Sequence, residues 1–245
     1  MRIKADYHTH TVYSHGKGSI MENALAAKRA GLEELAITDH GYGHRLYAMK
    51  RESIPQMREE IKAAEAATGV KILLGVEANF TSPEGDIDLT PQEIEQLDII
   101  LVGMHRFVKC SFKDFFTFFL PNMLRKKATA KQKEKNTNCI LRALDKYPID
   151  IITHPKYGMD FDVEQVARKV VEKGTLIELN EGKMCFSDDE IQLMVRLGVK
   201  FVLDSDAHKP SKVGQVQSVL ETARRLGIPK EQIFNLNEQL RLNLK

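Results

Sequence analysis

Seven short apolar runs, alternating with longer amphipathic stretches, constrain this chain more than any other feature. The runs cover residues 3–8, 35–38, 72–77, 99–104, 150–153, 176–180 and 201–204. Helical periodicity marks residues 20–30, 55–67, 163–173, 188–197 and 213–226 between them. Ser19 and Ser187 sit where helix N-caps belong, and Gly31, Gly69, Gly174, Gly198 and Gly227 each follow a helical run. Strands alternating with helices pair in parallel through crossover helices, so the pattern predicts an α/β barrel or an open doubly wound sheet.

The chain has 245 residues, 42% hydrophobic and 29% charged, which suits a single α/β domain over 1–245. Its formal charge of +2 argues against wholesale coating of nucleic acid but allows a local basic patch. Cys110, Cys139 and Cys185 have no C-x-x-C spacing, so a reducing compartment fits. The first residues carry no apolar leader segment. The most apolar stretch, 112–124, holds Lys113, Asp114 and Pro121, too polar to cross a bilayer. The expectation is a cytoplasmic protein with no membrane partner. No Gly-x-Gly-x-x-Gly opens the first βα unit and no P-loop is present, which removes the commonest nucleotide-binding readings.

Residues 106–138 break the rhythm of short loops and are expected to form an insertion, a lid or a partner surface. An aromatic cluster (Phe112, Phe115, Phe116, Phe118, Phe119) leads there into Arg125, Lys126, Lys127, Lys131, Lys133 and Lys135. The basic run reads as a solvated helix face or as a surface that steers anions.

Seven of the eight histidines fall at or just beyond the ends of the strands. His8 and His10 follow the first and His15 lies in its loop; His40, His105, His154 and His208 follow the second, fourth, fifth and seventh. The third run ends in Glu77, and the seventh adds Asp204 and Asp206. If the strands stay extended, Asp6, His8 and His10 share one face, as do Asp204, Asp206 and His208. In a parallel barrel all those ends open on one rim. Packing gives no reason to gather unpaired polar rings there, since burying them costs free energy. Imidazole nitrogen with carboxylate oxygen suits divalent Zn, Mn or Fe better than Mg. Nine residues thus form a candidate metal centre: His8, His10, His15, His40, Glu77, His105, His154, Asp206 and His208.

The motifs Asp6-Tyr7-His8-Thr9-His10-Thr11, Thr38-Asp39-His40, Gly75-Val76-Glu77-Ala78-Asn79, Gly103-Met104-His105, Thr153-His154-Pro155 and Ser205-Asp206-Ala207-His208 resemble the PHP (polymerase and histidinol phosphatase) superfamily, in its motif order. The stand-alone bacterial phosphatases of that superfamily are most similar, helped by Glu84-Gly85-Asp86-Ile87-Asp88 and Glu178-Leu179-Asn180. The resemblance implies a distorted (β/α)7, TIM-like barrel with three divalent ions, Zn first and Mn or Fe next. It implies that His8, His10, Glu77 and Asp206 hold one ion. Glu77 bridges to a second held with His105 and His154, and His15, His40 and His208 hold the third.

Such a centre implies phosphomonoester hydrolysis by a metal-bridging hydroxide, with Glu77, Asp206, His8 and His10 acting through it. The expected partner is a small-molecule phosphate ester. Arg106, His44, Lys156 and Lys183 are weaker candidates for substrate contact, and Asp39 for orienting an imidazole. The alternative is a free-standing phosphodiesterase or nuclease like the PHP modules of bacterial DNA polymerases, which makes nucleic acid the second partner. An amidohydrolase ranks lower, because strand four ends in His105 where that class carries a bridging Lys. A non-catalytic metal-storing domain ranks lower too, given a full set of nine ligands.

Overall fold

A computed structural model describes residues 2–124 and 128–236. Arg125, Lys126 and Lys127 of the basic run lie outside the described residues. The elements are β1 (Ala5–Asp6), α1 (Ile20–Ala30), β2 (Glu34–His40), α2 (Ile54–Thr68), β3 (Lys71–Asn79), α3 (Pro91–Ile94), β4 (Ile99–Gly103), α4 (Phe112–Asp114), α5 (Leu120–Leu124), α6 (Ala130–Lys146), β5 (Ile151–Ile152), α7 (Val163–Lys173), β6 (Leu176–Asn180), α8 (Asp188–Arg196), β7 (Phe201–Asp204) and α9 (Gln217–Arg225). Ser19 caps α1 and Ser187 caps α8 through reciprocal bonds with Glu22 and Glu190. Gly31 ends α1 in the left-handed region, φ 66°, where a side chain would be strained. None of the described helices is long and apolar enough to cross a membrane.

The seven strands form one parallel sheet in chain order, β1 to β7, so the barrel alternative holds and the doubly wound one does not. Alternate residues split the core in two. Leu35, Ile37, Leu74, Val76, Ile100, Val102 and Leu203 face the helices. Ala36, Leu73, Ile99, Leu101, Ile151, Leu176 and Val202 fill the interior with Ala5, Tyr7 and Phe234. A parallel sheet buried on both faces needs such continuous apolar runs.

No β7–β1 ladder occurs among the described residues, and the seam is closed by other means. At the top, Thr9 bridges Ala207, with the His10 amide donating to the Ala207 carbonyl at 2.9 Å. At the bottom, the Asn235 side chain does the work of a strand. Its Nδ2 donates to the Ala5 and Leu203 carbonyls (2.8 and 2.7 Å), and its Oδ1 accepts from the Leu203 amide at 3.1 Å.

The 106–138 region is more regular than the sequence pattern suggests. Phe115–Phe119 form a π-helical turn between α4 and α5, and α6 occupies the end of the region. Gln132, Asn136, Cys139, Ile140, Ala143 and Leu144 make the buried stripe of α6. Its first two members are polar, which hides the helix from a hydrophobic-pattern reading. Asn136 accepts from Gln132 and Asn122 at 2.9 Å each, which satisfies that buried end. The aromatic cluster divides: Phe118 and Phe119 are buried, whereas Phe112 and Phe116 are exposed. Lys135 donates to the Thr117 carbonyl at 2.9 Å.

Candidate metal centre

The interior parity of each strand, carried past the apolar layer, dictates the site. Residues in step with Ala36, Leu73, Ile151, Leu176 and Val202 are Thr38, Glu77, Thr153, Glu178 and Asp204, a buried polar layer. One step higher come His40 and Asn180. Gly103 stands at the matching position of β4, where a Cβ would lie 2.9 Å from His154 Cε1 and 3.3 Å from His105 Cε1. Glycine there leaves room for both imidazoles.

The alternation expected of the first and last strands holds only in part. β1 stops at Asp6, and Ala5 and Tyr7 are the residues pointing inward, so Asp6 does not join the histidines. It accepts from Ser205 Oγ at 2.5 Å and from the Gly214 amide at 2.8 Å. β7 likewise stops at Asp204, whose Oδ1 accepts from the Tyr7 amide at 2.8 Å. Asp206 reaches the site because its backbone turns to φ 51°. His154 turns similarly, φ 27°, with its amide donating to Glu178 Oε2. Left-handed conformations cost a non-glycine residue about 1–2 kcal/mol, and such strain gathers at functional sites.

All nine predicted residues converge on one cup. His8 Nε2 lies 3.1 Å from His10 Nε2, 3.3 Å from Glu77 Oε1 and 3.6 Å from Asp206 Oδ1. His10 Nε2 lies 3.3 Å from Asp206 Oδ1 and 3.7 Å from Glu77 Oε2. Ligand atoms ~2.1 Å from a tetrahedral ion stand roughly 3.4 Å apart, so these four side chains are spaced as a coordination shell. Glu77 Oε1 also lies 3.2 Å from His105 Nε2 and 2.8 Å from His154 Nε2. His40 Nδ1 is 2.8 Å from Glu77 Oε2, and nitrogens of His10, His40 and His208 form a further group within 4.8 Å. His15 stacks on His40, ring centroids 4.8 Å apart, and meets His208 at 4.2 Å.

The charge state of the cup suits cations. Burial pushes the Glu77 carboxyl up, but His105, His8 and His40 hold it well below the usual range. Asp206 is held down against its burial by His8, His10 and Lys183. Burial and the neighbouring His40 keep His10 neutral, while burial, His208 and His40 push His15 down to about 4. His8 differs: burial opposes its charge, yet Glu178, Glu77 and Asp206 raise it well above the ordinary value. Several donor atoms are buried with no hydrogen-bond partner, among them Nδ1 of His10 and His15, both ring nitrogens of His105, Glu77 Oε2 and Asp206 Oδ1. Buried polar groups left in this state cost free energy unless something else satisfies them. The donors are nitrogen and oxygen, which fits divalent Zn, Mn or Fe.

Three residues around the cup were not singled out by their own spacing. Glu178 binds the His8 Nδ1–H at 2.6 Å, fixing which nitrogen faces the cup. Asn180 donates to Glu178 Oε2 and Asp206 Oδ2, at 3.1 and 3.2 Å. Asp88 accepts from the Asn79 amide and the Gly43 amide, at 2.7 and 2.6 Å, tying the loop before His44 to the end of β3. A carboxylate or amide in step with Glu77 on the inner face is the sequence signal for the first two. Asp88 has no such signal.

The weaker candidates separate. His44 and Arg106 line a cavity beside His105. His44 Nδ1 accepts from the Leu46 and Tyr47 amides, so its proton sits on Nε2. Lys183 Nζ lies 2.6 Å from Asp206 Oδ2, at the mouth of the cup. Lys156 is engaged elsewhere, 2.5 Å from Glu190. Asp39 faces away from His40's side of the strand and orients no imidazole. It accepts from the Thr11 amide at 2.8 Å and Ser14 Oγ at 2.5 Å, bracing the loop that carries His15.

A parallel barrel with imidazoles and carboxylates gathered at its strand ends defines a metal-site barrel of the hydrolytic kind. The PHP domain model matches residues 6–184, and the chain belongs to that family. A probable phosphatase of Caldanaerobacter subterraneus subsp. tengcongensis is 31% identical over 250 residues, covering 96% of this chain and 88% of its own length. A probable phosphatase of Thermoanaerobacter sp. (strain X514) is 30% identical, with 96% and 91% covered. Among solved structures, a histidinol phosphate phosphatase from Lactococcus lactis subsp. lactis, complexed with zinc, L-histidinol and phosphate, superimposes with a TM-score of 0.62 at 16% identity over 95% of this chain and 94% of that one. At that identity the likeness concerns the fold.

Proposed function

We propose that this PHP-family phosphatase hydrolyses small-molecule phosphate monoesters at a centre of three divalent ions, Zn first and Mn or Fe next. The observation that carries the reading is Glu77, whose two carboxylate oxygens lie within 3.7 Å of His8, His10, His40, His105 and His154. One carboxylate serving five imidazoles is placed to bridge ions. His8, His10, Glu77 and Asp206 would hold the first, Glu77, His105 and His154 the second, and His15, His40 and His208 the third.

When bound, divalent ions supply positive charge for a phosphoryl group and acidify water from a pKa of ~15.7 to ~7. The chain's own residues do the rest. Glu178 and Asn180 orient His8 and Asp206, Thr153 Oγ1 donates to Glu77 Oε1 at 3.2 Å, and Lys183 holds a cation at the mouth for a phosphate oxygen. The interior apolar layer below the cup excludes water, which strengthens each electrostatic contact above it.

The test begins with metal content per chain by inductively coupled plasma mass spectrometry, on protein purified without chelator or affinity tag. Two to three equivalents are expected. A panel of sugar phosphates, mononucleotides and single-stranded DNA follows, with turnover expected for monoesters. Undiminished hydrolysis after replacing both His8 and Asp206 by Ala would sink the reading.

A further inference from the structure

A cavity of about 190 Å³ opens beside the histidine cup. Its lining includes His44 and His105 as the inner wall on the side of the cup, the exposed Arg106 at its rim, Phe119 and Met123 as a far side, and Tyr157, whose ring meets His154 at 5.8 Å. The inner wall belongs to the site, since the His105 ring meets His154 at 5.2 Å and His44 meets His40 at 5.0 Å. The far side belongs to the 112–124 segment. Phe119 is the last residue of the π-helical turn, and π-helical bulges recur at functional sites because they re-aim one side chain. Here the re-aimed ring is buried, packed at 5.2 Å and 85° against Phe118. Asn122, also on this wall, spends its amide nitrogen on the Phe118 carbonyl and Asn136, so the wall offers apolar surface.

Resting on the phosphatase reading above, we infer that this cavity receives the leaving group of the substrate, and that this group is a single flat ring without positive charge. The size sets the first half: an apolar cavity of ~150 Å³ holds one benzene ring. The lining sets the second. Among the described residues no carboxylate faces the cavity, and its rim carries the Arg106 guanidinium. An ammonium-bearing leaving group would be taken from water into contact with a like charge and no counter-charge. A neutral or anionic ring meets aromatic walls and a guanidinium edge instead.

The experiment uses the full chain reconstituted with Zn or Mn and measures binding of non-hydrolysable probes by calorimetry. The probes are methylphosphonate, benzylphosphonate and 4-(aminomethyl)benzylphosphonate. Benzylphosphonate is expected to bind about tenfold or more tightly than either of the others, the gain of burying one ring. Met123→Trp, at a half-buried wall position, fills the cavity and should cost benzylphosphonate more affinity than methylphosphonate. Arg106→Glu, on the exposed rim, should reverse the preference between the neutral and the aminomethyl probe. Equal affinity for the methyl and benzyl probes, or tighter binding of the aminomethyl probe to the unaltered chain, overturns the inference. Hydrolysis of benzyl phosphate is measured in parallel. Probes that bind in the expected order without turnover refute the phosphatase reading and leave the ligand class standing. Turnover with no preference for a ring does the reverse.

Discussion

His8 gives its Nδ1–H to Glu178 at 2.6 Å while its Nε2 stands 3.3 Å from Glu77 and 3.6 Å from Asp206. One carboxylate therefore decides which nitrogen of the ring meets the cup. Glu178 also accepts the His154 amide, so a single inner-face residue of β6 sets both the tautomer of His8 and the backbone turn at His154.

Replacing Glu178 by Gln keeps the shape and removes the charge. Metal affinity should fall about 10–100-fold, the usual effect of removing the carboxylate behind a ligating histidine. A competition titration against a chromophoric chelator measures it, and unchanged circular dichroism separates the effect from unfolding. Unaltered affinity would mean that the His8–Glu178 contact does not orient the ligand.

Gly103→Ala tests the space reserved for two imidazoles. Its Cβ would press on Thr153 Oγ1 and stand 2.9 Å from His154 Cε1, so His154 must move. The fold should survive with a loss of about 1–3 kcal/mol, the ordinary cost of overpacking. Bound metal per chain should drop by about one equivalent by mass spectrometry. Full occupancy would separate His154 from the centre.

Asp88 offers a pH test at a carboxyl outside the nine cup residues. Burial pushes its carboxyl above the usual 3.8, only partly offset by the hydrogen bonds it accepts from Asn79 and Gly43. The folded chain then holds this proton to higher pH than the unfolded chain does. Its contribution to stability is full below about pH 3.8 and is lost as pH rises through the folded value. Urea unfolding of the chelated protein and of Asp88→Asn, across pH 4 to 8, should show the wild type losing stability relative to the variant just above the lower end, then running parallel. A difference that grows in favour of the wild type with rising pH would contradict the sign.

Asn235→Ala addresses the seam. Three hydrogen bonds to Ala5 and Leu203 disappear, at about 1 kcal/mol each, leaving buried backbone groups unpaired. Thermal unfolding should shift down by roughly 6–12 °C for a chain of this size. Metal stoichiometry should hold, because Asn235 closes the seam at the opposite end of the barrel from the cup. Loss of metal with little change in Tm would reverse the assignment.

Much of this was legible in the chain itself, and the reason is locality. A strand's period of two is a property of consecutive residues, so the apolar runs announce seven strands and their ends announce where His8, His40, Glu77, His105 and His154 must gather. Helix α1 with its Ser19 cap and Gly31 stop is equally local, and it lies where the pattern puts it. What pairs with what is decided by distance across the barrel. Asp6, two residues before His8, and Asp39, next to His40, turn to Ser205 and to Thr11, because neither points inward with its strand's interior residues. Glu178, about 170 residues from His8 in sequence, becomes its partner because closing the seam leaves only β7 between β6 and the end of β1. Helix α6 is hidden because its buried stripe begins with Gln132 and Asn136, whose burial is tolerable only once Asn122 arrives to bond Asn136, which in turn accepts from Gln132. The sequence by itself determined the strands, their parallel pairing and which nine side chains were expected at the cup. Only the tertiary structure decided how those donors share Glu77, how Asn235 closes the seam and what cavity Phe119 walls, since each depends on contacts between residues that local chain chemistry cannot bring together.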